Sequence, residues 1–323
     1  MNSTSDSKLL IYADDTTLLI NDKNLDALHV KVTSELNNVK CWIRANRLRL
    51  NISKTNYILF QNRSRKYSIP PVLVDGTVIK QVSHTKFLGV IIDENLNWKY
   101  HIDQTCLKLA KITGILYRIR HNLTTQSLIS IYYTLCYPHL IYCVSIWAST
   151  WPSFLTKVSV MQNKILRCIF FLKKFESTSH IYSTENILKF PFIHKYFTLL
   201  LIYRNLSISA IFRIVENEAH TRSNNINLRY PQFRTILFKN SVISFGPKLF
   251  NSLPLNIKVL LTTANNFQFK RKIKGFLLTQ QKMYFFLLFL IIIIIIIIII
   301  IIIIIIIIII IIIIIINIIY VCS

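Results

Sequence analysis

The stretch LLIYADDTTLLI, residues 9–20, places two adjacent acids between two apolar runs. The runs predict two short strands, residues 9–12 and 16–20, joined by a tight turn at Ala13, Asp14 and Asp15. Paired carboxylates on a rigid turn suit a divalent metal, because Mg²⁺ prefers oxygen and is often held by one or two carboxylates plus substrate phosphates. Asp is also a common turn residue, so the pair by itself is more often a solvated turn.

The chain beyond this hairpin predicts an α+β fold. Apolar residues recur at spacings of three and four in residues 24–51, which is typical of an amphipathic helix. Strand-like segments follow: residues 55–60, a hairpin turning at Asp75-Gly76, and one strand over residues 85–93. Helical patterns cover residues 99–171 and about 185–214, with breaks near residues 121–124, Pro138 and Pro152. We expect a small α+β part followed by a helical, basic part.

The charge balance favours a polyanionic partner. The 323 residues include 38 Lys and Arg against 14 Asp and Glu, a formal net charge of +24. No acid occurs between Asp103 and Glu176 or after Glu218, so the basic character lies in the middle and C-terminal parts. Nucleic acid and an anionic membrane surface are both partners that this positive charge would attract. A basic composition without any binding role would give the same net charge.

The six cysteines are scattered without a CxxC pair, which favours buried thiols of an intracellular protein over a disulfide framework. Cys136, His139 and Cys143 supply only three potential zinc ligands, and their spacing matches no standard site. We therefore do not expect a structural zinc at this position.

The C-terminal tail allows two interpretations. Residues 284–320 are apolar, and residues 291–316 are unbroken isoleucine. This length exceeds the roughly 20 residues that span a bilayer, and the basic residues at 270–274 and 282 would favour a cytoplasmic N-terminal side. A homopolymer also resembles a translated trinucleotide repeat, and we favour that interpretation over a membrane segment.

Several downstream segments favour a metal-binding role for the acidic turn over a solvated turn. YADD at residues 12–15 matches the polymerase signature of reverse transcriptases, and LRLNISKTNYILF at 48–60 resembles the lysine-bearing motif that follows it. FLGVIIDENLNWKYHI at 87–102 resembles the primer grip. Residues 128–148 and 155–170 resemble the helical thumb and its adjoining segment, and FGPKLFNSLP with FQFKRKIKGFLL resembles the end of such open reading frames.

In this order, over about residues 8–280, the segments resemble the C-terminal part of a jockey-like non-LTR retrotransposon reverse transcriptase. The resemblance implies RNA-directed DNA polymerisation by two-metal nucleotidyl transfer, with Mg²⁺ as cofactor. It implies an RNA template and a DNA primer as partners, no small-molecule cofactor, and a location in the cytoplasm or nucleus.

The resemblance also implies roles for residues around the turn. Asp14 would be a metal ligand, and Asp15 a weaker ligand or a tuner of the site. Tyr12 would pack under the hairpin, and Ala13 would leave room for nucleic acid. Lys54 would protonate or neutralise the leaving pyrophosphate, although an ordinary surface lysine explains this residue equally well.

Further downstream, Phe87, Leu88 and Gly89 would form the primer grip. Phe87 and Leu88 are explained equally well as strand core, whereas Gly89 suggests a close backbone approach. Cationic side chains are expected to contact the phosphates of the template–primer backbone, and such contacts do not depend on the base sequence. For each of these cations considered alone, the default interpretation is a residue on a solvated helix face. These cations are Lys108, Lys111, Arg118 and Arg120.

By this resemblance the chain divides into a partial palm (1–100), a thumb-like region (101–220), a basic unit (221–282) and a low-complexity tail (283–323). A full reverse transcriptase has fingers and a third metal-binding aspartate upstream of the hairpin. With two adjacent acids alone, we expect both ions to be poorly held and this chain alone not to polymerise DNA. A non-catalytic RNA- or DNA-binding remnant and a membrane-anchored protein are the alternatives.

Overall fold

A computed structural model describes residues 7–13, 15–61, 69–205, 212, 227–233 and 235–322. The chain divides into two compact units, Met1–His101 and Ile102–Ser323. Helices and small sheets are both present, which confirms the mixed helix-and-sheet class. The finer division into palm, thumb, basic unit and tail stays a prediction.

The first unit begins with the predicted hairpin. Strands β1 (Ser7–Tyr12) and β2 (Asp15–Ile20) pair antiparallel, with Tyr12 opposite Asp15. Helix α1 (Leu25–Ala45) follows, and the Asn24 side chain caps it by accepting a hydrogen bond from the Asp26 backbone N–H. The predicted amphipathic helix is confirmed.

Short strands complete this unit. A 3₁₀ turn spans Ile52–Lys54. The strands are β3 (Asn56–Tyr57), β4 (Leu73–Val74), β5 (Thr77–Val78), β6 (Lys80–Gln81), β7 (His84–Phe87) and β8 (Val90–Asp93). β3 pairs parallel with β6, and β4 pairs antiparallel with β5 across the predicted Asp75-Gly76 turn. A small core of Val72, Val74 and Ile79 packs against apolar residues of α1.

The predicted single strand over residues 85–93 is wrong. β7 and β8 form an antiparallel hairpin in which Phe87 pairs with Val90. Leu88 and Gly89 between them have φ values of 44° and 85°. Two consecutive left-handed residues reverse the chain in a two-residue turn, so the apolar run folds back on itself.

The second unit is helical. Its helices, the first of which begins in the preceding unit, are α2 (Lys99–Ile119), α3 (Thr125–Ile131), α4 (Tyr137–Ile141), α5 (Val144–Trp147), α6 (Pro152–Ile169), α7 (Ser179–Thr184), α8 (Phe190–Asn205), α9 (Ile236–Lys239), α10 (Val242–Asn251), α11 (Leu255–Thr263) and α12 (Asn266–Cys322). A π-helical turn, Tyr132–Cys136, joins α3 to α4. The predicted breaks after α2 and at Pro152 are confirmed. The break predicted near Pro138 is wrong, because the π-helical turn leads directly into α4 and the chain leaves the helical conformation only at Tyr142 and Cys143. Of the helix predicted over residues 185–214, α8 forms, and most of residues 206–214 lie outside the described residues.

The long helix α12 has two different parts. Phe269, Ile273, Leu277 and Gln281 recur every fourth residue and are buried against the second unit. Gln281 Oε1 accepts from the backbone N–H of Lys189 at 2.8 Å, and its Nε2 donates to the Ile187 carbonyl at 3.0 Å. Beyond this stripe the isoleucine side chains are exposed as far as they are described, to residue 303. The segment Asn266–Ile303 is long and apolar enough to cross a membrane.

Candidate catalytic turn and nucleic-acid interface

The hairpin register places Asp15 at the tip of the hairpin, directly after the turn. Ala13 lies in the turn with φ 52°, a left-handed conformation that an L-residue adopts mainly in tight turns. Asp14, the predicted metal ligand, lies outside the described residues. Asp15 is the first residue of β2, and it is exposed. The turn therefore presents the Asp15 carboxylate towards solvent, next in sequence to Asp14.

The two faces of this hairpin differ. Residues opposite each other in an antiparallel pair share a face, so Tyr12 and Asp15 lie together. The other face meets α1, where Ser7 Oγ donates to Glu35 Oε1 at 3.0 Å. Tyr12 is 67% exposed, so the expectation that it packs under the hairpin is wrong. It alternates away from α1 and stands on the open face beside Asp15.

Lys54 ends a short capped turn. The Asn51 side chain accepts from the Lys54 backbone N–H at 3.3 Å and from Ser53 Oγ at 2.7 Å. This local cap explains why the NISK sequence forms one 3₁₀ turn before β3. The Lys54 side chain is exposed. Within the described part of the chain, neither a hydrogen bond nor an ion pair joins it to Asp15.

The predicted primer-grip residues form the tip of the β7–β8 hairpin. Phe87, Leu88 and Gly89 are each half-buried. The two-residue turn requires a positive φ at both of its central positions. Gly89 adopts this conformation without steric cost, whereas at Leu88 the Cβ atom makes it unfavourable by about 1–2 kcal/mol. A branched apolar residue is thus held at a strained turn, which points to a role for its side chain.

The segment after this hairpin is organised by Asp93, a residue that the sequence reasoning missed. This buried carboxylate accepts backbone N–H bonds from Asn95 (3.1 Å), Asn97 (3.2 Å) and Trp98 (2.9 Å). The loop is thereby tied to the end of β8 before α2 begins. An Asp followed by Asn two and four residues later is a recognisable side-chain-to-backbone turn pattern, so the signal was present in DENLNW.

The predicted backbone-contacting cations lie on α2 and just after it. Ile102, Leu109 and Leu116 bury one face of the helix, so the cations on the other faces are free to meet a partner. Three of the four predicted cations, Lys108, Lys111 and Arg118, are exposed. Arg120 differs, since it is half-buried against aromatic rings.

The group of Cys136, His139 and Cys143, at which we do not expect zinc, includes a thiol whose burial opposes metal binding. Burial raises the pKa of the Cys136 thiol to about 12, so the thiolate that zinc requires is unfavourable. Burial, and secondarily the Lys108 charge, lower the pKa of His139, which favours the neutral ring that zinc binds, so the obstacle lies with the thiol. Across the ranges that the structure describes, no group of three or more His, Cys, Asp or Glu side chains could hold a metal ion.

Comparison with known proteins finds RNA-directed DNA polymerases of mobile elements. Over 168 residues the chain is 27% identical to the RNA-directed DNA polymerase from mobile element jockey of Drosophila melanogaster, covering 51% of this chain and 18% of that protein. Over 131 residues it is 28% identical to the probable RNA-directed DNA polymerase from transposon X-element of the same species, covering 40% and 14%. The jockey polymerase of Drosophila funebris is 27% identical over 162 residues, covering 49% and 17%.

These matches confirm the resemblance to jockey-like and other non-LTR retrotransposon polymerases. The chain spans less than a fifth of the length of these curated relatives. No protein-family model matches the chain, and no solved structure matches it significantly.

Proposed function

We propose that this chain is a segment of an RNA-directed DNA polymerase, comprising the tip of a palm and a thumb-like helical unit that bind an RNA template and a DNA primer. The observation that carries the proposal is the similarity of half of the chain to polymerases of mobile elements. The structure supports it with an acidic hairpin tip on an open face and with exposed cations along α2.

The acidic turn is the proposed Mg²⁺ site. Carboxylate oxygens are the ligands that this ion prefers, so the donor chemistry of Asp14 and Asp15 fits. Asp15 is exposed, and it makes no ion pair with any other described residue. When bound, Mg²⁺ supplies the Lewis acidity that phosphoryl transfer needs. The hairpin fixes the backbone position of Asp15, and Tyr12 on the open face would border the nucleic acid.

Metal binding at the turn can be tested without polymerase activity. We expect bound Mn²⁺, measured by electron paramagnetic resonance on the full chain in non-ionic detergent, to fall in Asp14→Asn and Asp15→Asn. Asp26→Asn is the matched control, because Asp26 is an exposed acid in the first turn of α1. Equal Mn²⁺ binding by all three variants would exclude the turn as the metal site.

Other parts of the proposed machinery hold the nucleic acid. The half-buried tip of the β7–β8 hairpin is the proposed primer grip, and Asp93 holds its exit loop in one conformation. Lys54, exposed at the end of its capped turn, is the proposed partner of the leaving pyrophosphate. The exposed cations of α2 are proposed to contact backbone phosphates, which every template offers.

We further propose that this chain alone does not extend a primer, because two adjacent carboxylates hold two ions poorly. The test is primer extension on an RNA template with Mg²⁺. We expect no incorporation above that of Asp14→Asn. Incorporation by the unmodified chain that Asp14→Asn abolishes would overturn this inactivity and would favour an active polymerase.

Nucleic-acid binding is tested separately by its salt dependence. The expected result is binding at low salt whose logarithmic salt slope becomes less steep by about 0.7–0.9 for each lost phosphate contact. Lys108→Ala, Lys111→Ala and Arg118→Ala should each reduce the slope, while Lys239→Ala, a control on an exposed lysine of α9, should not. Absence of binding at low salt would count against the proposal as a whole.

A second candidate function is membrane association through α12. The observation that favours it is the exposed isoleucine surface, which none of the described protein covers. A helix satisfies its own backbone hydrogen bonds, as the interior of a bilayer requires. The test is membrane association that resists carbonate extraction and is lost when residues 284–320 are deleted. Extraction of the intact chain by carbonate would contradict this candidate.

A further inference from the structure

Three aromatic side chains surround the Arg120 guanidinium where α2 and α6 end. Its central carbon lies 4.2 Å from the ring centroid of Tyr117 and 5.0 Å from that of Phe171. Its Nε donates to His121 Nε2 at 3.3 Å, and the His121 ring meets Phe171 edge-on at 5.3 Å. We call Tyr117, Arg120, His121 and Phe171 the aromatic–arginine cluster.

The cluster lies on the surface. Tyr117 is 61% exposed and Phe171 48% exposed, so each side chain keeps about half of its area available. Large apolar side chains usually bury most of their surface, since burial removes apolar area from water. Two half-exposed rings held against one guanidinium therefore form a preorganised apolar and cationic surface.

The backbone conformation at Phe171 is one that usually selects glycine, so a phenylalanine there calls for an explanation. The Leu172 N–H donates to the Arg167 carbonyl at 3.0 Å, which closes α6 in the manner of a Schellman cap. Phe171 then occupies the left-handed position of that cap, with φ 54°. Glycine is favoured at this position because a Cβ is unfavourable there, and a bulky residue is an outlier. Packing of α6 alone does not explain an exposed phenylalanine at this position.

The loop after Phe171 also combines an exposed aromatic ring with cationic side chains. Phe175 is 87% exposed, with Lys174 Nζ 5.3 Å from its ring centroid. Lys173 extends the positive charge. Glu176 is the acid of this loop, and it accepts a backbone N–H bond from Lys173 at 3.1 Å while its carbonyl accepts from Arg167 Nε at 2.8 Å. Cations therefore exceed acids around the exposed rings.

We propose that the aromatic–arginine cluster is a stacking platform for the bases of single-stranded nucleic acid. Every base has a flat π-face that stacks on Tyr and Phe rings, and a guanidinium adds cation–π attraction and a phosphate contact. The exposed Arg118 next to Tyr117 matches the negative backbone that accompanies the bases. This inference rests on the proposed nucleic-acid binding and adds a site that recognises bases in addition to phosphates.

Base stacking and phosphate contacts respond differently to removal of the bases. The probes are a fluorescent oligouridylate and an abasic oligonucleotide of equal length and charge, titrated against the full chain in non-ionic detergent. We expect the abasic probe to bind about tenfold more weakly for each stacked base that it lacks. Equal affinity for both probes would overturn the stacking platform, whereas failure to bind either probe would overturn the proposed nucleic-acid binding as well.

Variants then locate the effect. Phe171→Gly suits the left-handed cap, so the fold should be retained while oligouridylate binding falls about tenfold and abasic binding stays unchanged. Tyr117→Leu keeps apolar bulk without a ring and should do the same. Phe267→Ala is the control, since Phe267 is 74% exposed on α12 and is not part of the cluster. If both cluster variants retain the preference for oligouridylate, the bases stack elsewhere and the assignment is wrong.

Discussion

Replacing Gln162 by leucine should destabilise the second unit more than an ordinary surface substitution does. Gln162 is buried on α6, and its amide satisfies three groups from other elements. Nε2 donates to Tyr132 Oη at 3.0 Å and to the Leu188 carbonyl at 2.9 Å, while Oε1 accepts from the Phe190 backbone N–H at 2.8 Å. One side chain thus joins the π-helical turn, α6 and the start of α8.

The magnitude follows from the groups left behind. Leucine has a similar volume but no polar atom, so Tyr132 Oη, the Leu188 carbonyl and the Phe190 N–H each lose a partner. A buried polar group without a partner costs about 1–3 kcal/mol. Partial relaxation reduces the sum, and we expect a loss of about 3–6 kcal/mol, which is a large share of a typical domain stability of about 5–15 kcal/mol.

Urea unfolding of the full chain in non-ionic detergent measures this loss. Trp147 is a suitable fluorescent reporter because it is buried and stacks on Phe190 with a centroid distance of 5.5 Å. Gln104→Leu is the matched control, since Gln104 is an exposed glutamine of α2. Tyr132→Phe should cost about 1 kcal/mol, as it removes one of the three bonds.

The result that refutes this reasoning is a loss of less than about 1 kcal/mol for Gln162→Leu, comparable to one ordinary hydrogen bond. A loss equal to that of Gln104→Leu would have the same meaning. Either outcome would show that Gln162 does not join these elements in solution.

Three further perturbations test other parts of the structure. Burial, and secondarily the Lys195 charge, lower the pKa of His194 to about 4, so only the unfolded chain takes up this proton as the pH falls below about 6.5. Unfolding free energy should therefore fall by about 2 kcal/mol between about pH 7 and pH 5, measured by urea titration; an equal fall in His194→Gln would contradict this cause. Leu88→Asn should raise the urea midpoint, because Asn tolerates the left-handed turn better by roughly 0.5–1 kcal/mol, and a lowered midpoint would show that the leucine contributes more than its strain costs. Asp93→Ala should accelerate hydrogen exchange at the three amides that its carboxylate binds by at least tenfold, and unchanged rates there would exclude Asp93 as the organiser of the loop.

Local chemistry explains which elements could be predicted. The β1–β2 hairpin, α1 and the Asp75-Gly76 turn follow from short-range patterns, and all three form as expected. The strand expected over residues 85–93 failed because Leu88-Gly89 is a weak turn signal inside an apolar run, so the run looked continuous. The DENLNW pattern was readable, but only the bonds to Asp93 show that the loop depends on one carboxylate.

At the candidate site, too, some features could be predicted from the sequence and others could not. The sequence predicts a metal-binding pair at a turn and cations along a helix, because residue type and order carry that chemistry. It did not predict which hairpin face is open, since Tyr12 alternates away from α1 only once the register is set. The sequence also led us to assign Arg120 to a phosphate contact. The spacing of residues along the chain did not predict that Arg120 lies between two aromatic rings.

The sequence by itself determined the polymerase-like motifs, the basic surplus and the type of most long elements, because these depend on residue identity and on neighbours within a few turns. Only the tertiary structure decided that Gln162 joins three segments, that Arg120 lies against Tyr117 and Phe171, and that the buried stripe of α12 ends near Gln281. Those contacts join residues that are distant in the chain. Their energy depends on burial and geometry, which exist only once the helices have packed.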